Sequence, residues 1–139
     1  MKKIVLISCV KKKMDRRTKA EEMYISTLFK NNLKYAKSLN PSNIFILSAE
    51  HGLLELNTEI DPYDKTLNKM CINDIKKWSE LVLKKLQIFA DLNFDEFIIL
   101  AGIRYRKFLI PSLKNVKIPM VGLEFGKQLK WLKEKNDNK

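Results

Sequence analysis

Three short apolar runs constrain this chain more than any other feature: Lys3-Ile4-Val5-Leu6-Ile7-Ser8, Asn43-Ile44-Phe45-Ile46-Leu47-Ser48 and Glu96-Phe97-Ile98-Ile99-Leu100. Each is rich in β-branched residues and apolar at consecutive rather than alternate positions, the pattern of a strand buried on both faces. The segments between them have helical periodicity. Ala20 to Leu39 places Met23, Leu28, Phe29, Leu33, Tyr35 and Ala36 at mostly helical spacing, and Pro41 and Ser42 stop it. Asn73 or Asp74 can cap a longer helix carrying Ile75, Trp78, Leu81, Val82, Leu86 and Phe89, which ends near Asn93. Tyr105, Phe108 and Leu109 begin another helix, shortened or kinked by Pro111. Val116 to Leu123 is a weaker fourth strand interrupted by Pro119, which suits a sheet edge or a pairing that starts only at Met120, and Gly126 to Lys135 closes as a helix. Alternating strands and helices imply a parallel sheet covered on both faces. The expected fold is therefore α/β, a three-layer domain around a central four-stranded, mainly parallel sheet. A chain of 139 residues suits one core, over residues 1–135, with 136–139 as a frayed tail.

The run at residues 4–7 is too short for a secretory signal core, and no later segment approaches the roughly 20 apolar residues of a membrane span. A cytoplasmic protein without membrane contact is the expectation. Cys9 and Cys71 are the only cysteines, and with the single histidine, His51, they lack the spacing of a metal site. No metal or cofactor is expected. Lys and Arg total 27 against 16 Asp and Glu, a formal charge of +11 that attracts polyanions, with nucleic acid the leading class.

In a parallel sheet every loop leaving a strand emerges at one edge, where ligands bind beyond the carboxyl ends of the strands. The first such loop brings Ser8, Cys9, Lys11, Lys12, Lys13, Arg16 and Arg17; the third brings Gly102, Arg104, Tyr105, Arg106 and Lys107. Gly122 and Lys127 follow the fourth strand. Three basic groups thus converge where a phosphate would be held. No GxGxxG or Walker motif is present, so an ordinary dinucleotide or triphosphate cradle is disfavoured. Ser48, Glu50 and His51 leave the second strand, the last two pairing a carboxylate with an imidazole that titrates near neutrality. Asp61, Tyr63 and Asp64 set carboxylates beside a ring in a Pro-containing irregular segment. Glu50, His51, Asp61 and Asp64 are the catalytic candidates. Ser8, Cys9, Ser48, Tyr63, Gly102, Tyr105 and Gly122 are the substrate-binding candidates, and Lys11, Lys12, Lys13, Arg16, Arg17, Arg104, Arg106 and Lys127 the phosphate-binding ones. A turn histidine, a core cysteine and solvated lysines are the structural alternatives for these positions. Trp78, Trp131 and Phe89 lie at core spacing, whereas Tyr24 and Tyr105 begin helices near the edge and could stack on bases.

Leu47-Ser48-Ala49-Glu50-His51-Gly52-Leu53-Leu54 followed by Ile60-Asp61-Pro62-Tyr63 resembles the family of the peroxide-stress protein YaaA, with His51 in place of its usual tyrosine before glycine. Leu100-Ala101-Gly102-Ile103-Arg104-Tyr105 is similar to its later strand and helix start. A closer resemblance, over nearly the whole chain, is to small bacterial and phage proteins. They share the Ile7 to Lys13 opening, Tyr24 to Phe29, Pro62-Tyr63-Asp64, and Gly122-Leu123 through Gly126-Lys127-Gln128-Leu129 to Trp131-Leu132. More distantly, the resemblance implies a uracil-DNA-glycosylase-like fold, with base or nucleoside recognition. That fold's usual water-activating Asp motif is replaced by Ser8-Cys9-Val10-Lys11 and its His-Pro-Ser motif by Gly122-Leu123-Glu124, so its catalytic residues do not carry across.

These readings lead to a protein that recognises a base in a nucleic acid, DNA rather than RNA, or in a nucleotide. One form is an enzyme that hydrolyses an N-glycosidic bond in DNA repair, modification or phage–host conflict. The alternatives are a non-catalytic binding module in stress response or defence, and a factor whose basic edge holds an acidic protein.

Overall fold

The computed structural model describes residues 1–137. The elements, in chain order, are β1 (Lys3–Ser8), β2 (Thr18–Lys19), α1 (Ala20–Met23), α2 (Thr27–Ser38), β3 (Asn43–Ser48), β4 (Gly52–Glu55), β5 (Glu59–Ile60), α3 (Ile72–Phe89), β6 (Glu96–Leu100), α4 (Ile103–Arg106), β7 (Asn115–Lys117) and α5 (Phe125–Asp137). Single 3-10 turns lie at Leu67–Lys69 and Ile110–Ser112. The main sheet has five strands in the order β4-β3-β1-β6-β7. β1 pairs in parallel with β3 and β6, and β6 in parallel with β7, while β4 runs antiparallel to β3.

The three apolar runs occupy β1, β3 and β6 with the expected bounds. Ile4, Val5, Leu6 and Ile7 of the central strand are each 0% exposed, so both faces of the sheet are covered. From β1 the chain steps to β3, and from β4 it crosses back over β1 to β6. Right-handed crossovers in opposite directions put α2 and α3 on opposite faces. α5 packs along α2, and α3 lies over β4. The fold is thus α/β, as expected, with a mixed sheet of five strands in place of the four anticipated.

The fifth strand is the main correction. Residues 49–55 form a hairpin with β3, although the sequence from Ala49 onward reads as a loop. Gly52 turns the chain at a φ of +71°, in the left-handed region that glycine enters without steric cost, and Leu53 and Leu54 then bury against the sheet. A second, two-stranded ribbon joins Thr18–Lys19 to Glu59–Ile60 and pins the irregular segment against the first loop.

The helices also differ in detail. Ala20 to Leu39 splits at Tyr24, which bridges to Lys13, and Ser26 caps α2 by accepting from the Phe29 amide at 3.1 Å. α3 starts at Ile72, with Cys71 and not Asn73 or Asp74 at its cap. The fourth strand is only Asn115–Lys117 and ends before Pro119, at the sheet edge. α5 runs on through Asn136 and Asp137, two residues into the stretch read as a frayed tail; residues 138 and 139 lie outside the described residues.

One buried carboxylate fastens the start of β6. Asp95, 4% exposed, accepts from the Lys2 amide at 2.8 Å and from the Asp91 amide at 2.8 Å, and these two bonds hold its pKa below the ordinary 3.8. A depressed carboxylate stabilises the fold above its unfolded pKa, and that contribution is lost as pH falls through the folded value. Urea unfolding from pH 7 down to pH 2 is expected to show Asp95→Asn less stable than the parent at neutrality, with the gap closing below about pH 3.8. A gap independent of pH would show that the charge on Asp95 is irrelevant.

Candidate functional site

The loops leaving β1 and β6 diverge, one toward β3 and the other toward β7, so the crevice between the ends of these strands is the topological switch point of the sheet. A cleft of about 340 Å³ opens there. Ser8 ends β1 and Cys9 follows it; Ala101 and Gly102 follow β6; Leu28 and Asn32 of α2, Ile118, Met120 and Gln128 also line the walls. Arg104 and Arg106 stand at its α4 side, where the Arg106 guanidinium donates to the Ala101 carbonyl at 2.7 Å.

Asn32 is the most informative wall residue. It is 4% exposed, and its carboxamide oxygen has no hydrogen-bond partner. A buried amide acceptor left unpaired costs about 1–3 kcal/mol, a cost that a ligand donor would remove. Gln128 supplies a second amide, oriented by donation from its Nε2 to the Leu123 carbonyl at 2.8 Å.

A second cleft, of about 390 Å³, adjoins the first and shares Cys9, Val10, Asn68 and Tyr105 with it. Its other walls are Lys11, Lys13, Asp64, Lys65, Thr66 and Lys69. The ridge between the clefts is the contact of Cys9 Sγ with the Tyr105 hydroxyl at 3.4 Å, backed by Trp78 edge-on to Tyr105. One side of the ridge is therefore lined by neutral amides and two arginines, and the other by four lysines and one carboxylate.

Behind the lysine cleft lies a closed hydroxyl network. Ser48, fully buried, accepts from the His51 amide at 3.0 Å and donates to the Tyr63 hydroxyl at 2.9 Å. Tyr63 in turn shares a hydrogen bond of 2.6 Å with Tyr24, and the Ser48 carbonyl accepts from Trp78 Nε1 at 2.8 Å. The Lys13 ammonium sits 4.5 Å from the Tyr63 ring centroid, within cation–π range. Burial lowers the Lys13 pKa, against the opposing influence of Cys9 and Asp64. Burial pushes Tyr24 up to about 12, and Tyr63 and Tyr105 also up, so all three phenols stay protonated at neutral pH.

Of the candidates read from sequence, the structure brings Ser8, Cys9, Gly102, Tyr105, Arg104 and Arg106 to the first cleft and Lys11, Lys13 and Asp64 to the second. Ser48 and Tyr63 support the second from behind. Glu50 and His51 project from the exposed β3–β4 turn into a separate groove along α3. Asp61 is exposed and paired with Arg17 at 3.1 Å, a solvated ion pair of little energetic weight. Lys12, Arg16, Gly122 and Lys127 are exposed and outside the lining of either cleft. Tyr24 and Tyr105 are 1% and 8% exposed, too buried to serve as open stacking platforms. Sequence reasoning missed Asn32, Gln128, Asn68, Lys65 and Lys69. Asn32 did leave a signal: it falls between Phe29 and Ala36 on the buried stripe of α2, where a polar residue needs a reason.

Among the described residues, no three His, Cys, Asp or Glu side chains cluster as a metal ion would require, and no helix is long and apolar enough to cross a membrane. A model of a family of unknown function, DUF6884, matches residues 4–134. The chain belongs to that family. No curated protein and no solved structure matches it. The match takes in all of the main sheet except Lys3, along with both clefts.

The tyrosine network has a measurable consequence. Raised phenol pKa values mean that the unfolded chain ionises first, so the network's contribution is present below about pH 10 and lost as pH rises toward the folded values. Absorbance at 295 nm is expected to show the native phenols titrating well above those of the urea-unfolded chain. Tyr63→Phe, which strands the Ser48 hydroxyl, is expected to cost about 1–3 kcal/mol at pH 7. Coincident native and unfolded titrations would contradict the buried network.

Proposed function

We propose that this protein recognises a nucleobase together with its phosphate, within a nucleic acid or as a nucleotide. The unpaired Asn32 carboxamide, buried in the wall of a cleft at the topological switch point, carries this reading. Amides match the mixed donor and acceptor edges of bases, and a second amide, Gln128, faces the same space. Lys11, Lys13, Lys65 and Lys69 lie one ridge away, where the phosphate of a base seated in the first cleft would need charge. The resemblance to the YaaA family and to the uracil-DNA-glycosylase-like fold supports the same ligand class, since that fold also builds its site from loops after parallel strands.

A hydrolytic form of this reading is favoured by one observation: among the described residues, Asp64 is the only carboxylate lining either cleft. We propose that Asp64, in place of Glu50, orients the water that attacks an N-glycosidic bond, with the base leaving into the amide-lined cleft. Its test is release of free base from single-stranded oligonucleotides containing uracil or oxidised bases, followed by chromatography. Turnover by the parent that is lost in Asp64→Asn and kept in Glu50→Gln is the expected result. An active Asp64→Asn protein overturns the assignment, and an inactive parent leaves the binding module as the function.

Recognition itself is tested by calorimetry with a panel of nucleoside monophosphates. Asn32→Leu is near in volume and removes the amide, so binding is expected to weaken by about 1–3 kcal/mol, roughly 5- to 150-fold. Equal affinity for parent and variant would exclude the cleft as the base site.

A further inference from the structure

A third concavity, about 710 Å³ and shallow, runs between the β3–β4 turn and α3. Its lining includes Lys65, Lys69, Lys77, Lys85 and His51. Lys65 and Lys69 line this groove and the lysine cleft alike, so the two adjoin along these residues. Among the described residues the ion pairs are Arg17–Asp61, Lys37–Glu21 and Lys117–Glu96, and none involves a lysine of the groove. Glu50 and Asp74 also face the groove, against four lysines. Leu81, 68% exposed on α3, gives it an apolar floor between Lys77 and Lys85. The Lys85 ammonium is fixed by donation to the Leu53 carbonyl at 2.7 Å.

We infer that this groove is the track of a single-stranded nucleic acid, whose backbone runs from the lysine cleft along α3. The inference rests on the reading of the first cleft as a base site and names its substrate class: a strand and not a mononucleotide. Lys77 and Lys85 are two helical turns apart, ~12 Å along the axis, so one extended strand laid along α3 can meet both. A base seated in the cleft beside β1 has left any helical stack, so the strand that delivers it arrives unpaired at that nucleotide. The groove's mixture of cations and one exposed leucine suits such a strand, which offers phosphates on one side and base faces on the other.

The test compares a fluorescein-labelled, mixed-sequence 12-nucleotide single strand of DNA with a nucleoside monophosphate that binds the cleft. The proteins are the parent, Lys77→Gln/Lys85→Gln and Asn32→Leu, each checked by its melting temperature. The parent is expected to bind the 12-mer at least tenfold more tightly than the monophosphate. Lys77→Gln/Lys85→Gln is expected to lose most of that gain while binding the monophosphate as the parent does. Its slope of log affinity against log salt should be shallower by about 1.4, since each single-strand phosphate contact contributes about 0.7. If the variant binds the 12-mer with the parent's slope, the groove is not the track, and the base site stands. If the monophosphate fails to bind but the 12-mer binds with a slope that depends on Lys77 and Lys85, the track stands and the base-site reading falls. No binding of either probe overturns both. Tighter binding of a matched duplex, or equal competition by polyglutamate, overturns the single strand as occupant.

Discussion

Ser48 is the residue on which the irregular half of this molecule depends. At the end of β3, with no exposed surface, it uses its hydroxyl to accept from the His51 amide and donate to Tyr63, and its carbonyl to accept from Trp78. Those three bonds tie together the β3–β4 turn, the segment between β5 and α3, and α3 itself. Through Tyr63 they extend to Tyr24 and so to the first loop. A regular sheet satisfies its own backbone, but four loops meeting at one edge have no ladder to hold them. One buried serine, with a tyrosine pair beyond it, supplies the missing order. The lysine cleft therefore has a rigid back wall although every segment around it is irregular.

That dependence explains which parts of the structure were legible in the sequence. β1, β3 and β6 could be read to the residue because strands buried on both faces carry their signal locally, in consecutive apolar residues. The strand-end rule puts Ser8, Cys9, Gly102, Tyr105, Arg104 and Arg106 at the sheet edge, and they line the cleft there. β4 escaped because four residues, Gly52 to Glu55, hold too little periodicity to register; their order comes from pairing with β3. Glu50 lies away from both clefts for a related reason. Standing next to a strand end points a side chain at the crevice only if the chain continues into a crossover, and here it folds back in a hairpin that sends Glu50 and His51 outward.

Asn32 and Gln128 were illegible by any rule of strand ends, since both lie on helices. They reach the crevice because α2 packs on β1 and α5 packs along α2. Which helical residue lines a cleft is decided by the rotation of the helix against the sheet. For α2 that rotation is set by the buried Phe29 and Ala36, and Asn32 lies on the same stripe. Apolar helix stripes are expected to exclude amides, so the polar member of such a stripe is the place to look for function when motifs are absent.

The charge distribution around the ridge follows from the same packing. Tyr24, Tyr63 and Tyr105 are all kept protonated by burial, so the hydroxyl network contributes oriented dipoles and no net charge. Charge at the second cleft is left to Lys11, Lys13, Lys65, Lys69 and Asp64. Lys13 is held closest, its ammonium over the Tyr63 ring and its neutral form favoured by burial, with Asp64 opposing that shift. Amides and two arginines on one side of Cys9 and Tyr105, and four lysines with one carboxylate on the other, divide one crevice into two chemically different parts.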